Sequence, residues 1–248
     1  MKNLINETLA TIVKSNYKAA RIFERYQLDF CCKGKRTLLK ACEEANVPVD
    51  EVVTILEEVL QSGTQVPDMD KYSAAALVDY ILSTHHSYVW TEMSLLLARL
   101  QQVAAKHGQR HPEMLKVLEL FADIKQELED HLHKEERILF PRIKELEKLA
   151  NEGWRNLAID ESYINEPVTI METEHQYTGA LMQEINQLTN NYTPPAEACN
   201  TYQLSLSSMQ AFETDLHRHV HLENNLLFPK AIDLFEQLKR HHTFWHLA

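Results

Sequence analysis

The chain has 248 residues, a formal net charge of −11 and a hydrophobic fraction of 44%. This acidic balance argues against the basic face that nucleic acids and anionic membrane surfaces require. No apolar run approaches the ~20 residues of a membrane span, and the N-terminus has polar residues where a signal peptide needs an apolar core. Only five Gly and eight Pro interrupt the chain, and four Cys are too few for a disulfide framework. We therefore expect an all-α protein of a reducing cytoplasm.

Residues 1–62 predict a small helical domain. Its four short helical patterns read LATIVKSN, YKAARIFERY, TLLKACEEAN and VDEVVTILEEVL, and Thr37 is placed to cap the third. The polar loop LDFCCKGKRT lies between the second and third patterns and holds the adjacent Cys31 and Cys32. Because a domain this small is marginal alone, we expect it to pack on the rest of the chain. Gly, Pro and Asp without periodicity then predict a linker at residues 63–72.

Four long amphipathic helices are predicted over residues 73–248. Gly108 ends the first, Pro112 opens the second, and Pro194-Pro195 separates the third from the fourth. A longer connection precedes the third helix, and the final segment RHHTFWHLA reads as a mobile tail. Long helices joined by turns favour an up-down four-helix bundle, with ranges of about 73–106, 112–149, 166–190 and 196 to the 230s.

The bundle contains an internal repeat. HLHKEERILFP at 131–141 and HVHLENNLLFP at 219–229 share His, His, Glu, Leu, Phe and Pro in one register. Upstream of each, a His-x-Tyr motif also repeats, with His86 in the first copy and His175 in the second. The midpoints between successive histidines of this set (86, 131, 175 and 219) fall near residues 108, 153 and 197, in the helix-breaking segments. We therefore expect the four histidines to share one layer, deep along the helices, and we expect each repeated proline to kink its helix.

The repeat supplies a ligand set. His131 and Glu135 are four residues apart and project from one face of a helix, and His219 and Glu223 repeat this arrangement. Burying neutral imidazoles and ionised carboxylates without a partner is costly, and a metal ion supplies that partner. The candidate ligands suit two ions bridged by two carboxylates, and they favour Fe or Mn, with Zn less specific. The set is His86, His131, Glu135, His175, His219 and Glu223.

Other polar residues near the layer fit the repeat less well. His85 and His217 have no histidine counterpart, while His133 and His221 repeat without a repeated carboxylate. Glu174 is a candidate supporting partner or weak ligand. Tyr88 and its counterpart Tyr177 either donate hydrogen bonds near the metals or merely pack.

The motifs His86, His131-x-x-x-Glu135, His175 and His219-x-x-x-Glu223 resemble a hemerythrin-like domain. The leading LDFCCKGKRTLLKAC is similar to the small first domain of the iron-sulfur cluster repair family, the di-iron proteins also called repair of iron centres proteins. Lys33 stands where that family usually has the first of two glycines. The likeness covers nearly the whole chain, including METEH and HLENNLLFP.

The resemblance implies a cytoplasmic, commonly dimeric protein with two non-haem iron ions, joined by oxo and carboxylate bridges. By position, the four histidines would be terminal ligands, and Glu135 and Glu223 would bridge. It also implies repair of iron-sulfur clusters damaged by nitric oxide or oxidants. The partners would be the damaged proteins, with NO or O2 as small ligands.

The adjacent cysteines Cys31 and Cys32 are the second chemical feature. Such a pair can form a strained disulfide, bind a metal as thiolates, pass electrons, or be two ordinary reduced thiols. Nearby Lys33, Lys35 and Arg36 favour the thiolate. We expect the pair to deliver electrons or to dock iron from a damaged cluster. Cys42 and Cys199 lie on helical patterns and are expected to be structural.

Three functions are compatible with these motifs. The first is cluster repair by iron donation, by NO scavenging, or by both. The second is a hemerythrin-like module that binds or senses O2, for which the Cys-Cys domain has no use. The third is a di-iron enzyme that reduces NO or acts as an oxidase. A helical scaffold without metal is the remaining alternative.

Overall fold

The computed structural model describes residues 4–16, 18–61, 69–152 and 161–245. Within these ranges the protein is all-helical, and its one β-type pairing there is the isolated bridge between Thr8 and Thr37. The all-α prediction is confirmed. Most of the predicted linker, at 63–68, and part of the connection before the third long helix, at 153–160, fall outside the described residues.

The N-terminal residues form four short helices around a core of their own. Thr8 and Thr37 cap α1 and α3 through their side-chain oxygens, as predicted for Thr37. Asn46 ends α3 in the left-handed conformation, with φ 54°. Phe23, Phe30 and Leu56 are fully buried in this core. The four helices are α1 Leu9–Ser15, α2 Ala19–Arg25, α3 Leu38–Ala45 and α4 Val49–Gln61.

Four helical rods make up most of the rest of the described chain, with short 3-10 turns at Met69–Lys71 and Glu161–Tyr163 before the first and third. Three of the rods are interrupted by one turn of π-helix. The first rod is α5 Ala74–Ile81, π-segment Leu82–His86 and α6 Ser87–His107; the second is α7 Glu113–Lys134, π-segment Glu135–Leu139 and α8 Phe140–Glu152; the third is α9 Asn165–Leu188; and the fourth is α10 Asn200–Leu222, π-segment Glu223–Leu227 and α11 Phe228–Trp245.

Two hydrophobic clusters fill the bundle, one on each side of the histidine layer. Leu96, Phe121 and Met209 belong to the cluster toward the turn between α6 and α7, and Ile81 and Phe140 belong to the cluster at the other end. The second rod packs against the first and the third, and the fourth packs against the first. The polar layer is therefore enclosed by apolar packing along the bundle axis.

The π-segments explain the repeated prolines. The N–H of Phe140 donates to the Glu135 carbonyl five residues back, and Phe228 does the same to Glu223. A proline ring collides with the carbonyl four residues earlier in a regular helix, and a widened turn just before Pro141 and Pro229 relieves that conflict. The sequence predicted a kink at these prolines. No motif indicated that the turn before each proline is a π-turn, which holds one residue more than an α-turn. The predicted boundaries also need correction at the fourth rod, which begins at Asn200, and at the expected tail, which is helical to Trp245.

Candidate metal centre

The six predicted ligands lie together in one buried layer. Glu135 Oε2 is 3.4 Å from His86 Nε2 and 3.4 Å from His131 Nε2. Glu223 Oε2 is 3.3 Å from His175 Nε2, and Glu223 Oε1 is 2.8 Å from His219 Nε2. All six side chains are at most 4% exposed. The equal spacing of the histidines from the helix breaks therefore corresponds to equal height in the bundle.

The layer contains two overlapping ligand groups. Within each group, one nitrogen or oxygen from every member lies within 4.8 Å of the others. Both carboxylates occur in both groups, so each is positioned to reach two ions. One group is His86, His219, Glu135 and Glu223, and the other is His131, His175, Glu135 and Glu223.

Buried polar atoms without hydrogen-bond partners converge on this layer. They are His86 Nε2, both oxygens of Glu135 and Oε2 of Glu223. Leaving such atoms unpaired costs about 1–3 kcal/mol each, and more for charged groups. Cations between imidazole and carboxylate donors would satisfy all of them at once. This donor set, without thiolates, fits Fe, Mn or Zn.

Electrostatics within the layer favour positive charge beside the two carboxylates. Burial lowers the pKa of His86 and His131, but Glu135 and Glu223 outweigh it and raise each to about 10. Burial and Glu223 raise the pKa of Glu135, yet the two histidines bring it to about 2. Burial holds the pKa of His219 below its usual value. Without metal, two carboxylates are thus balanced by two protons.

Behind the layer, three of the four histidines donate Nδ1–H to a fixed acceptor. His86 donates to Glu136 Oε1 over 2.9 Å, His131 to Glu174 Oε2 over 2.9 Å, and His175 to Asn224 Oδ1 over 2.9 Å. Such bonds fix the ring so that Nε2 faces the layer. The fourth, His219, instead stacks on His85 at 5.6 Å, and His85 pairs with Asp215.

Two of these acceptors, Glu136 and Asn224, were missed from the sequence as partners. They occupy the same position, directly after the repeated glutamates, but differ in residue type, and the mismatch hid them. Glu174 was expected to support the site, and the structure pairs it with His131 on a neighbouring helix. Of the two tyrosines, Tyr88 packs on Phe212 and Tyr177 is 50% exposed.

The Cys31-Cys32 loop packs against the second half of the repeat. Both thiols are free, with Sγ atoms 3.9 Å apart. The Cys31 carbonyl accepts a hydrogen bond from Asn225 Nδ2 over 3.1 Å and a longer one from Asn224 Nδ2 over 3.5 Å. Position 34 requires glycine, because a Cβ there would clash with the Phe30 carbonyl oxygen at 2.3 Å and would also lie 3.2 Å from Asn225 Oδ1.

The prediction that nearby cations favour the thiolate is wrong for Cys31. The hydrogen bond to Cys32, burial and the charge of Asp29 hold the pKa of the Cys31 thiol well above its ordinary value. Lys33 is exposed, and Arg36 pairs with Glu44 instead. Lys33 and Arg36 are therefore close to Cys31 in the sequence, but they do not place their charges beside its thiol.

Cys199 also differs from its expected place inside a helix. It is the N-cap residue of α10, is partly exposed, and lies with Sγ 3.2 Å from His107 Nε2. The backbone N–H groups of Tyr202 and Thr201 lower the pKa of its thiol.

A helical bundle with paired His-x-x-x-Glu motifs in its core is the architecture of hemerythrin-type cation-binding proteins. Residues 77–231 match the family described as Hemerythrin HHE cation binding domain. Residues 5–60 match a second family, ScdA_N, described as a domain of unknown function, DUF542. The two matches cover the bundle and the Cys-Cys domain respectively.

Whole-chain relatives define the family more closely. A protein of Yersinia pseudotuberculosis serotype IB (strain PB1/+) and one of Yersinia pestis (strain Pestoides F), both named "Iron-sulfur cluster repair protein YtfE", are each 33% identical over 227 residues. The aligned region is 92% of this chain and 97% of each relative. The chain belongs to this YtfE-type family of hemerythrin-domain proteins, as its motifs predicted.

No helix among the described residues is long and apolar enough to cross a membrane.

Proposed function

We propose that this protein holds two iron ions and repairs iron-sulfur clusters damaged by nitrosative and oxidative stress. The observation that carries the proposal is the sharing of Glu135 and Glu223 between both ligand groups. Two carboxylates shared between two pairs of imidazoles would hold two ions as a dinuclear site, and the name of the relatives, iron-sulfur cluster repair protein, supplies the biological context. By the family resemblance, an oxo group would complete the bridge.

Bound iron would supply exchangeable coordination positions for NO or O2 and a labile ion for donation. The protein's own ligand set would favour exchange of that iron. Imidazole and carboxylate donors lack the strong thiolate bonds of a closed structural site. The Nδ1 hydrogen bonds of His86, His131 and His175 orient those rings, while His219 is held by stacking on His85.

The Cys31-Cys32 loop would be the second working part. It contacts Asn225 and Asn224, and Asn224 in turn holds His175. Because the Cys31 carbonyl lies one amide side chain away from a ligand of the metal layer, the loop that carries the thiol pair is anchored where it could deliver electrons or receive iron. We further propose residues 1–62 as the Cys-Cys domain, 63–72 as linker and 73–248 as the metal-binding bundle, in a homodimeric cytoplasmic protein.

Metal analysis of the purified protein tests the dinuclear site. We expect two irons per chain, with a fall in both His131→Ala and His219→Ala, because each variant removes a ligand from a different group. His133→Ala is the control, since His133 is exposed and packs on Trp90. An iron content unchanged in both ligand variants would refute the site.

Reactivation of a cluster enzyme previously inactivated by NO tests the function. We expect iron-loaded protein to restore activity and the iron-free protein to fail. Prior exposure of the enzyme to peroxide instead of NO separates the mechanisms, since NO scavenging cannot assist there. If neither damaged enzyme recovers, the repair proposal is wrong.

The open positions at each ion also support an alternative. Four protein donors per ion leave room for a diatomic ligand, as an O2-binding or O2-sensing module requires. Reversible O2 binding without any repair would favour that function, and turnover of NO to nitrous oxide with a reductant would favour a di-iron enzyme. Either result would redirect the proposal without changing the ligand set.

A further inference from the structure

The Cys31-Cys32 loop has a third polar member that the sequence did not single out. Asp29 accepts hydrogen bonds at Oδ1 from the backbone N–H of Cys31 over 3.2 Å and of Cys32 over 2.9 Å, and Cys31 Sγ lies 3.3 Å from the same oxygen. The loop therefore folds around this carboxylate. One ligand atom from each of Asp29, Cys31 and Cys32 lies within 4.8 Å of the others.

The spacing of these donors is that of metal ligands. Two thiolates at about 2.3 Å from a tetrahedral ion lie about 3.8 Å apart, and a sulfur and a carboxylate oxygen on it lie about 3.6 Å apart. The observed Sγ–Sγ separation is 3.9 Å and the Cys31 Sγ–Asp29 Oδ1 separation is 3.3 Å. A disulfide needs about 2.05 Å between the sulfurs. The two sulfurs are therefore separated by the distance expected of two ligands of one ion, and not by that of a disulfide.

We propose that Asp29, Cys31 and Cys32 form a separate site for one divalent transition-metal ion with soft character, with ferrous iron as its physiological ligand. On binding, both S–H bonds break, two metal–sulfur bonds form, and two protons pass to solvent. No electron is transferred. The assignment of iron rests on the proposed function, whereas binding of an ion rests on the geometry alone.

Its position suits an exchanging site. Three protein donors leave a fourth tetrahedral position open, unlike the closed set of a structural site. Gly179 lies beside Cys32, and an added Cβ there would meet Cys32 Sγ at 4.0 Å as its nearest neighbour. The amides of Asn224 and Asn225 tie the Cys31 carbonyl to the bundle beside His175. An ion held here would be bound by a loop that contacts the support of the dinuclear layer, but on different ligands from those of that layer.

Cobalt(II) titration of the reduced full-length protein tests the proposal, because thiolate–cobalt charge transfer is spectroscopically distinct from imidazole and carboxylate ligation. We expect a near-ultraviolet charge-transfer band with one thiolate-bound Co²⁺ per chain, lost in the Cys31→Ser/Cys32→Ser double variant. Asp29→Asn should weaken that binding by at least about tenfold.

Single variants of the other cysteines keep the test decisive if the double variant fails to fold. The band should persist in Cys42→Ser and Cys199→Ser, which assigns it to the adjacent pair by elimination. The His131→Ala/His219→Ala double variant should lose the dinuclear ions yet keep the band, so failure of the two proposals is distinguishable. No band in the reduced wild-type protein, or a band that disappears in Cys42→Ser or Cys199→Ser, would overturn the thiolate site.

Discussion

The two halves of the repeat place the same three kinds of side chain in the metal layer but support them differently. In the first half, Glu136 accepts from His86 and also from the indole N–H of Trp90 at 3.0 Å. In the second half, Asn224 stands at the position of Glu136, and Gly179 at that of Trp90. The first half is covered by the carboxylate of Glu136 and the indole of Trp90. The second half has the neutral amide of Asn224 and, at Gly179, a gap where the first half has the indole.

The N-terminal domain occupies that gap. Cys32 lies beside Gly179, and the Cys31 carbonyl accepts from the asparagine amides that follow Glu223. His221 is buried against Phe30, with ring centroids 5.6 Å apart, whereas its counterpart His133 is exposed. The ligands thus kept the symmetry of the repeat while the surrounding residues diverged, and this divergence made one half a docking surface.

The largest expected effect falls on the carboxylates that the halves share. Glu135→Ala and Glu223→Ala should each reduce iron from two ions per chain to fewer than one, because either carboxylate serves both groups. His133→Ala is again the control and should retain both ions, because His133 is exposed and lies outside both ligand groups. If either glutamate variant kept one ion firmly bound, the two ions would not share that carboxylate.

Proton competition should affect both halves in parallel. Because the carboxylates raise the pKa of His86 and His131 to about 10, each ion must displace about one proton, and affinity per ion should fall about tenfold per pH unit from pH 9 to 6. Calorimetry in buffers of different ionisation enthalpy measures the released protons. Release of none would contradict the assigned protonation.

The same shifts fix the pH dependence of metal-free stability. A raised histidine pKa contributes stability that is complete below about 6.5 and is lost as pH rises toward about 10. The lowered pKa of Glu135 contributes stability present above 4.5 and lost as pH falls toward about 2. Chemical denaturation of chelator-treated protein should therefore show greatest stability between these limits.

Removing the acceptors that support the histidines should weaken metal binding to different extents in the two halves. Glu136→Ala and Asn224→Ala should each weaken metal binding about 10–100-fold, as loss of a histidine's second hydrogen bond typically does. We expect the larger loss for Glu136, because a carboxylate acceptor stabilises the imidazole more strongly than an amide does. Competition with a chelator measures both, and equal losses would remove this distinction between the halves.

The smallest expected effect concerns the gap at Gly179. Gly179→Ala should stabilise the protein by about 0.5–1 kcal/mol, since its Cβ meets nothing closer than 4.0 Å and glycine weakens a helix. Gly179→Trp, which imitates the first half, should instead displace the loop and accelerate alkylation of Cys32. Unchanged alkylation in the tryptophan variant would argue against docking at this point.

Much of this arrangement was predictable because it depends on periodicity. The i, i+4 spacing of His131 and Glu135, and the equal distances of the histidines from Gly108 and Pro194-Pro195, specified the helices, their register and the buried layer. The acceptors Glu136 and Asn224 were not predictable in the same way, since each bond crosses between helices. The N-terminal docking depends on a missing side chain at Gly179, which leaves no pattern in a sequence.

The π-segments carry an evolutionary consequence. A π-turn holds one residue more than the α-turn that it replaces, so everything beyond it is rotated by about 100° relative to an uninterrupted helix. Segments beginning at Glu135 and Glu223 occur at the same point in both copies. The first rod also has a π-segment, at Leu82–His86, whereas its counterpart α9 is uninterrupted, so this match between the copies holds for the helices that carry the glutamates. Loss of one residue from a π-segment would restore an α-turn and leave the residues beyond it in place, so a change of chain length by one residue can be absorbed there as well as in the turns.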